Sequence, residues 1–234
     1  MRTIKTAMIG LPLIAAALPA EAATRNIPVP SFNKLRVEGP YTVRVHTGGS
    51  VSVKASGPET LLDKLVVETR GNTLLVSTEK GWSWRGMSWG KQETVYVDIS
   101  VPMIEAAELN GSGTVTVDKV RATGFTALLT GSGDLDISRL ETGNLKATVT
   151  GSGDLALAGK AGRADMSVTG SGNLRAGGLT VNVLTASVLG SGDLDVGATR
   201  TAKARVMGSG DISIAGRPTC TTSKMGSGDI KCGG

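Results

Sequence analysis

The sequence predicts an all-β fold, a right-handed parallel β-helix with rungs of about 20 residues behind an irregular N-terminal β half. Three observations predict it. Gly-Ser-Gly recurs seven times, starting at Gly111, Gly131, Gly151, Gly170, Gly190, Gly208 and Gly226, with spacings of 20, 20, 19, 20, 18 and 18 residues. A fixed period of this size is the mark of a solenoid. On both sides of each triplet apolar and polar residues alternate, the period of a strand with one buried face. The chain also holds 33 glycines with no collagen-like period of three, which calls for many turns. The alternation and the glycine density exclude a helical repeat, and the Leu/Asn pattern of leucine-rich repeats is missing.

The chain divides into a leader at 1–22, an N-terminal β segment with degenerate rungs at 23–103, and a GSGD-repeat β-helix at 104–234. The leader has the form of a secretory signal peptide. Arg2 and Lys5 precede an apolar stretch from Ala7 to Leu18, and Ala20-Glu21-Ala22 gives the small-x-small pattern of a cleavage site. The stretch is short for a membrane span and is broken by Pro12, and no later segment approaches span length, so the mature chain is not expected to be transmembrane. Without Arg2, Lys5 and Glu21 the chain is mildly basic, 23 bases against 19 acids. These bases form no run or stripe in sequence, which argues against nucleic acid as a partner.

In the N-terminal segment, Leu35 to Val45 has the apolar spacing of the repeat, with Gly39 in the place of a first triplet glycine, so it reads as a degenerate opening rung. Val51–Val53, Leu65–Val67, Leu74–Val76 and Val95–Val101 read as further strands. Gly48-Gly49, Ser56-Gly57-Pro58 and Arg70-Gly71-Asn72 read as the turns between them. In the repeats, Leu135, Leu155, Leu174, Leu194 and Ile212 share one offset from their triplets and should stack as one interior column. Before the triplets, Leu145, Ala147 and Val149 point inward with their equivalents, while Thr148, Thr150, Ser167 and Thr169 face out. Seven rungs at ~4.8 Å would make a rod of roughly 34 Å.

The sequence resembles a known family. Phe32-Asn33-Lys34-Leu35-Arg36-Val37-Glu38-Gly39-Pro40, the Gly71-Asn72-Thr73-Leu74 turn, a strand ending at Val101-Pro102, and Leu109-Asn110-Gly111-Ser112-Gly113 followed by GSGD repeats are together similar to the putative auto-transporter adhesin head GIN domain family. The resemblance spans about residues 31–234. It implies an exported or envelope-associated bacterial β-helix that adheres, binds or scaffolds, and it brings no catalytic residues. The sequence shows no C-terminal run of alternating membrane-barrel strands, so self-export is not implied.

Three groups of residues carry candidate chemistry. Asp134, Asp154, Asp193, Asp211 and Asp229 should line one edge, with Asn173 interrupting; stacked carboxylates invite Ca²⁺, or each caps its own turn. The second Asp-bearing turn of calcium β-rolls is missing, and the turn-capping role is favoured, so no metal or other cofactor is expected. The loop at 81–91 holds Trp82, Trp84, Arg85 and Trp89, aromatic and basic groups that suit a sugar, lipid or protein partner, or a lid on the core. Cys220 and Cys232 fall on inward offsets in the last repeat and are expected to form a disulfide. His46 is the only histidine, which leaves little for a triad or a His-rich metal site. The expectation is a non-catalytic protein of the periplasm, outer surface or medium, with an envelope polysaccharide or protein as partner. The alternatives are a polysaccharide-processing β-helix enzyme, which would need convergent carboxylates in a cleft, and a calcium-dependent structural module.

Overall fold

The structure, a computed structural model, describes residues 23–82 and 94–233. It is about 72% strand and 2% helix. In chain order the elements are β1 (Ala23–Asn26), β2 (Lys34–Glu38), β3 (Thr42–Thr47), β4 (Ser52–Gly57), α1 (Glu59–Leu62), β5 (Leu65–Arg70), β6 (Thr73–Thr78), β7 (Tyr96–Val101), β8 (Ala106–Gly111), β9 (Thr114–Val117), β10 (Val120–Gly131), β11 (Asp134–Gly151), β12 (Asp154–Gly170), β13 (Asn173–Gly190), β14 (Leu194–Gly208), β15 (Ile212–Gly216), β16 (Thr219–Gly226) and β17 (Ile230–Cys232). They form a parallel β-solenoid of about 6 turns with a curled sheet at its N-terminal end.

Each Gly-Ser-Gly is a corner between two walls. Leu135, Leu155, Leu174, Leu194 and Ile212 stack in strict strand register on the wall after the corner, each no more than 1% exposed. The column continues downward through Val115 and Val43 to Val97. On the wall before the corner the matching column runs Val76, Val37, Leu109, Leu129, Val149, Val168, Val188 and Val206. Like residues thus pack on like, and the core is one contiguous apolar cluster.

The corners hold register while rung length varies. Gly131, Gly151, Gly170, Gly190, Gly208 and Gly226 pair in sequence. The register shifts lie on the opposite side, between Ile137 and Leu140, between Ala156 and Ala158, between Ala176 and Thr180, and between Val181 and Val183. Within β11 to β14 the return, the side of the rung opposite the corner, is continuous strand that bulges where a rung gains or loses a residue. The corner cannot yield in the same way. The Gly131 carbonyl accepts both Ser152 N–H (2.9 Å) and Gly153 N–H (3.0 Å) from the next rung. Gly151 has φ +119°, and a Cβ on Gly153 would collide with the Gly133 carbonyl oxygen beneath it.

The expected opening rung is present. β2 pairs with β8 and β3 with β9, which sets Gly39 (φ +125°) directly against Gly111. What the sequence did not announce is the order of stacking. β6 also pairs in parallel with β2, and β7 with β3, so both strands lie outside the 34–47 rung although they follow it in the chain. Beyond them β4 adds to β7 and β1 to β4, while β5 adds to β6, all antiparallel. The expected Ser56-Gly57-Pro58 turn instead ends β4 and opens the short helix α1. Pro58 is its N-cap (φ −58°, ψ 134°), and the Pro58 carbonyl accepts the N–H groups of Leu61 and Leu62 (both 3.0 Å). Leu61 and Leu62 of α1 are buried and cover this end of the core.

Candidate functional site

One concavity lies beside the outward face of the pre-corner wall. It encloses about 500 Å3. Lys34, Lys146 and Arg163 line it with Glu105, Glu108 and Asp165, over a base that includes Phe125 and Leu145. Register explains the gathering, because Thr126, Lys146 and Asp165 stack on successive rungs, as do Gly124, Asn144 and Arg163. Two of the carboxylates are already engaged. Glu105 accepts Asn33 Nδ2 (2.7 Å), and Glu108 accepts Arg36 Nε (2.7 Å). Next to the groove the wall is coated by hydroxyls in columns, Thr148 with Ser167 and Ser187, and Thr130 with Thr150 and Thr169.

A second hollow of about 250 Å3 lies on the bulged return side, lined by Lys119, Arg121, Arg139 and Lys160 around Glu141. Arg121 Nε donates to Glu141 (2.9 Å), and this bond, with the charges of Arg121, Lys119 and Lys160, holds the Glu141 carboxyl below its usual range.

The Asp ladder has a definite local role. Asp211 N–H donates to Asp193 Oδ1 (2.9 Å), Asp229 N–H to Asp211 Oδ1 (2.7 Å), and Asp193 N–H to Asn173 Oδ1 (3.2 Å). Asn173 Nδ2 donates to Asp154 Oδ1 (2.8 Å), and Arg175 pairs with Asp154 (2.9 Å). Side chains of one rung therefore receive the backbone of the next. Among the described residues no group of three or more His, Cys, Asp or Glu is placed to hold a metal ion.

Trp82 is half-buried against the core, and its backbone N–H donates to the Glu79 carbonyl (3.3 Å). Trp84, Arg85 and Trp89 lie outside the described residues, as does the leader at 1–22. In the chain these three residues fall between β6 and β7, the strands that pair with β2 and β3. Cys220 and Cys232 meet as a disulfide in the last rung, their Cα atoms 6.6 Å apart. Cys220 pairs with Ala202 and Cys232 with Ile214, both interior positions. His46 is exposed, with Nδ1 3.6 Å from Asp118 Oδ2. The hollows were missed in sequence because they depend on which residues of neighbouring rungs coincide; a rung-by-rung alignment of the outward positions would have found the Lys146–Asp165 column.

The described residues form a parallel β-solenoid that carries mixed-charge grooves on its outer face. Residues 31–218 match the family model described as putative auto-transporter adhesin, head GIN domain, and the chain belongs to that family. A putative adhesin from Bacteroides fragilis has a similar structure, with a TM-score of 0.83 and 29% identity over 91% of this chain and 97% of that one. A putative lipid binding protein from Parabacteroides distasonis aligns with a TM-score of 0.69 and 23% identity over 90% of this chain and 96% of that one, a likeness of fold. No curated protein matches the chain. Among the described residues no helix is long and apolar enough to cross a membrane.

Proposed function

We propose that the protein is an exported, non-catalytic adhesive module of the bacterial cell envelope that holds an envelope polysaccharide along its pre-corner wall. One observation carries this reading: the groove of about 500 Å3 sets three bases and three acids over an apolar base, continuous with columns of Thr and Ser. Sugar polymers offer many hydroxyls and flat apolar faces, so a long surface of donors and acceptors around an apolar base suits them. Membership of an adhesin family and the form of the leader support a place outside the cytoplasm. The disulfide of Cys220 and Cys232 belongs to the same reading, because such bonds persist in oxidising compartments.

Neither alternative draws a specific observation. A glycosidase needs one carboxylic acid kept protonated and a second poised across the bond. In the groove, Glu105 and Glu108 are instead held by Asn33 and Arg36. Calcium would compete with backbone N–H groups for the ladder oxygens of Asn173, Asp193 and Asp211. In this reading Trp84, Arg85 and Trp89 are further partner-binding residues, and Trp82 packs against the core.

The test is retention of purified protein on immobilised envelope polysaccharide from the producing cells. Lys146→Ala with Arg163→Ala should weaken retention at least about tenfold, two lost charged hydrogen bonds, with an unchanged melting temperature. Full retention by that variant would remove the groove from the reading.

A further inference from the structure

The hydroxyl-coated wall changes character toward its C-terminal end. One outward column runs Thr130, Thr150, Thr169, Leu189, Met207 and Met225 in strand register. Leu189 is 49% exposed, Met207 41% and Met225 68%. Among the described residues the other large hydrophobe so exposed is Met103, so the rest of this class is gathered in one file. Neighbouring rungs lie about 4.8 Å apart, which makes the three side chains a continuous apolar ridge. Lys203 and Arg205 stand on the same outward face of β14 as Met207, by the alternation of the strand.

Charge is concentrated at the same end. From Arg200 onward the bases are Arg200, Lys203, Arg205, Arg217, Lys224 and Lys231, and the acids are Asp211 and Asp229, a net of +4. Residues 23–198 carry as many acids as bases. The whole net charge of 23–234 therefore sits in residues 200–234, with Lys203 and Arg205 on the ridge's own face.

We propose that this face docks side-on onto an anionic lipid bilayer, with Lys203 and Arg205 at the headgroups and Leu189, Met207 and Met225 entering the interface. A bilayer is the occupant that matches both halves of the surface. A soluble polyanion would leave the ridge bare, and an apolar protein face would leave the cations unanswered. Membrane attachment of this kind takes two signals acting together, a basic patch and an apolar one. A second copy added to the open end is opposed by the last rung itself. There Thr222 and Lys224 occupy the register of Ala204 and Val206, and a charge on an interior position of an edge strand discourages further pairing. The proposal uses rungs distinct from those of the polysaccharide groove, so either can fail alone.

The experiment is co-sedimentation of the purified protein with vesicles of phosphatidylcholine, with and without phosphatidylglycerol. Binding is expected to the anionic vesicles alone and to weaken as salt rises. Lys203→Gln with Arg205→Gln should weaken it about 30-fold. Leu189→Ser with Met207→Ser and Met225→Ser should weaken it at least about tenfold. All five positions face out, so circular dichroism and melting temperature serve as the folding control for both variants. Equal binding to both vesicle types, or to neither, overturns the proposal. So does full-strength binding of the serine variant to dextran sulfate with no preference of the wild type for vesicles, which assigns the face to a soluble polyanion. Concentration-dependent self-association that the serine variant abolishes, in the absence of vesicle binding, assigns it to a second copy and equally overturns it.

Discussion

Gly153 and Ser152 are neighbours at one corner, yet they answer to different constraints. Ser152 gives its N–H to the Gly131 carbonyl and keeps its side chain away from the core, so any small residue serves. Gly153 gives its N–H to the same carbonyl while lying over the Gly133 oxygen, where a Cβ has no room. Gly153→Ala should cost about 1–3 kcal/mol through forced separation of two rungs. Ser152→Ala should fall within about 0.5 kcal/mol of wild type. Denaturant melts of the pair check this, and equal losses would mean that the corner tolerates a spread. Leu155 is the inward counterpart, fully buried between Leu135 and Leu174. Leu155→Asp should lose about 4 kcal/mol or more, because a carboxylate there has no partner and no water. Near-normal thermal stability of that variant would contradict the stacking. These inward residues were legible in the sequence, since alternation alone sets the face of a strand. The partners of Asp193 and Asp211 were not, because the accepted N–H groups belong to the following rung and appear only when rungs are superposed.

At the scale of elements, legibility divides along the chain. β10 to β14 repeat one register, so each rung predicts the next, and Cys220 and Cys232 could be placed on interior positions by offset alone. The N-terminal strands carry the same apolar alternation, and their existence was readable. Their order was not: β6 and β7 dock outside β2 and β3, a choice made by long-range pairing rather than by local pattern. The terminal elements also differ in how they close the core. At one end α1 sets Leu61 and Leu62 over it. At the other, β16 is exposed along most of its length, Lys224 pairs with Asp229 (3.0 Å), and the disulfide ties β16 to β17. The C-terminal rung thus depends on its covalent link more than on burial. Cys220→Ser with Cys232→Ser should lower stability by about 2–4 kcal/mol. Alkylation followed by mass spectrometry of the non-reduced protein gives the companion measurement. Two freely alkylated cysteines in that sample would remove the staple.

At the scale of the whole molecule, stacking order governs where the fold opens. In a solenoid each rung contacts only its neighbours, so stability is close to a sum of rung and interface terms, and the ends open first. The two ends of this chain are not equivalent. β2 and β3 lie near the start of the sequence but are internal in the stack, held between β6 and β7 on one side and β8 and β9 on the other. They cannot leave without first releasing strands that follow them in the chain. β16 and β17 are last in both sequence and stack, and nothing among the described residues pairs on their far side. Hydrogen exchange should therefore show amides of Leu35–Glu38 and Val43–Val45 protected to nearly the global unfolding free energy, despite their early position. Amides of Thr221–Met225 should exchange first, and faster still once the disulfide is reduced. The order of protection is the test, because a chain that frayed from both sequence termini would expose β2 and β3 as early as β16. If Leu35 and Val43 exchange no more slowly than Thr221, the interlocked start of the solenoid is wrong and the N-terminal half opens as a separate unit.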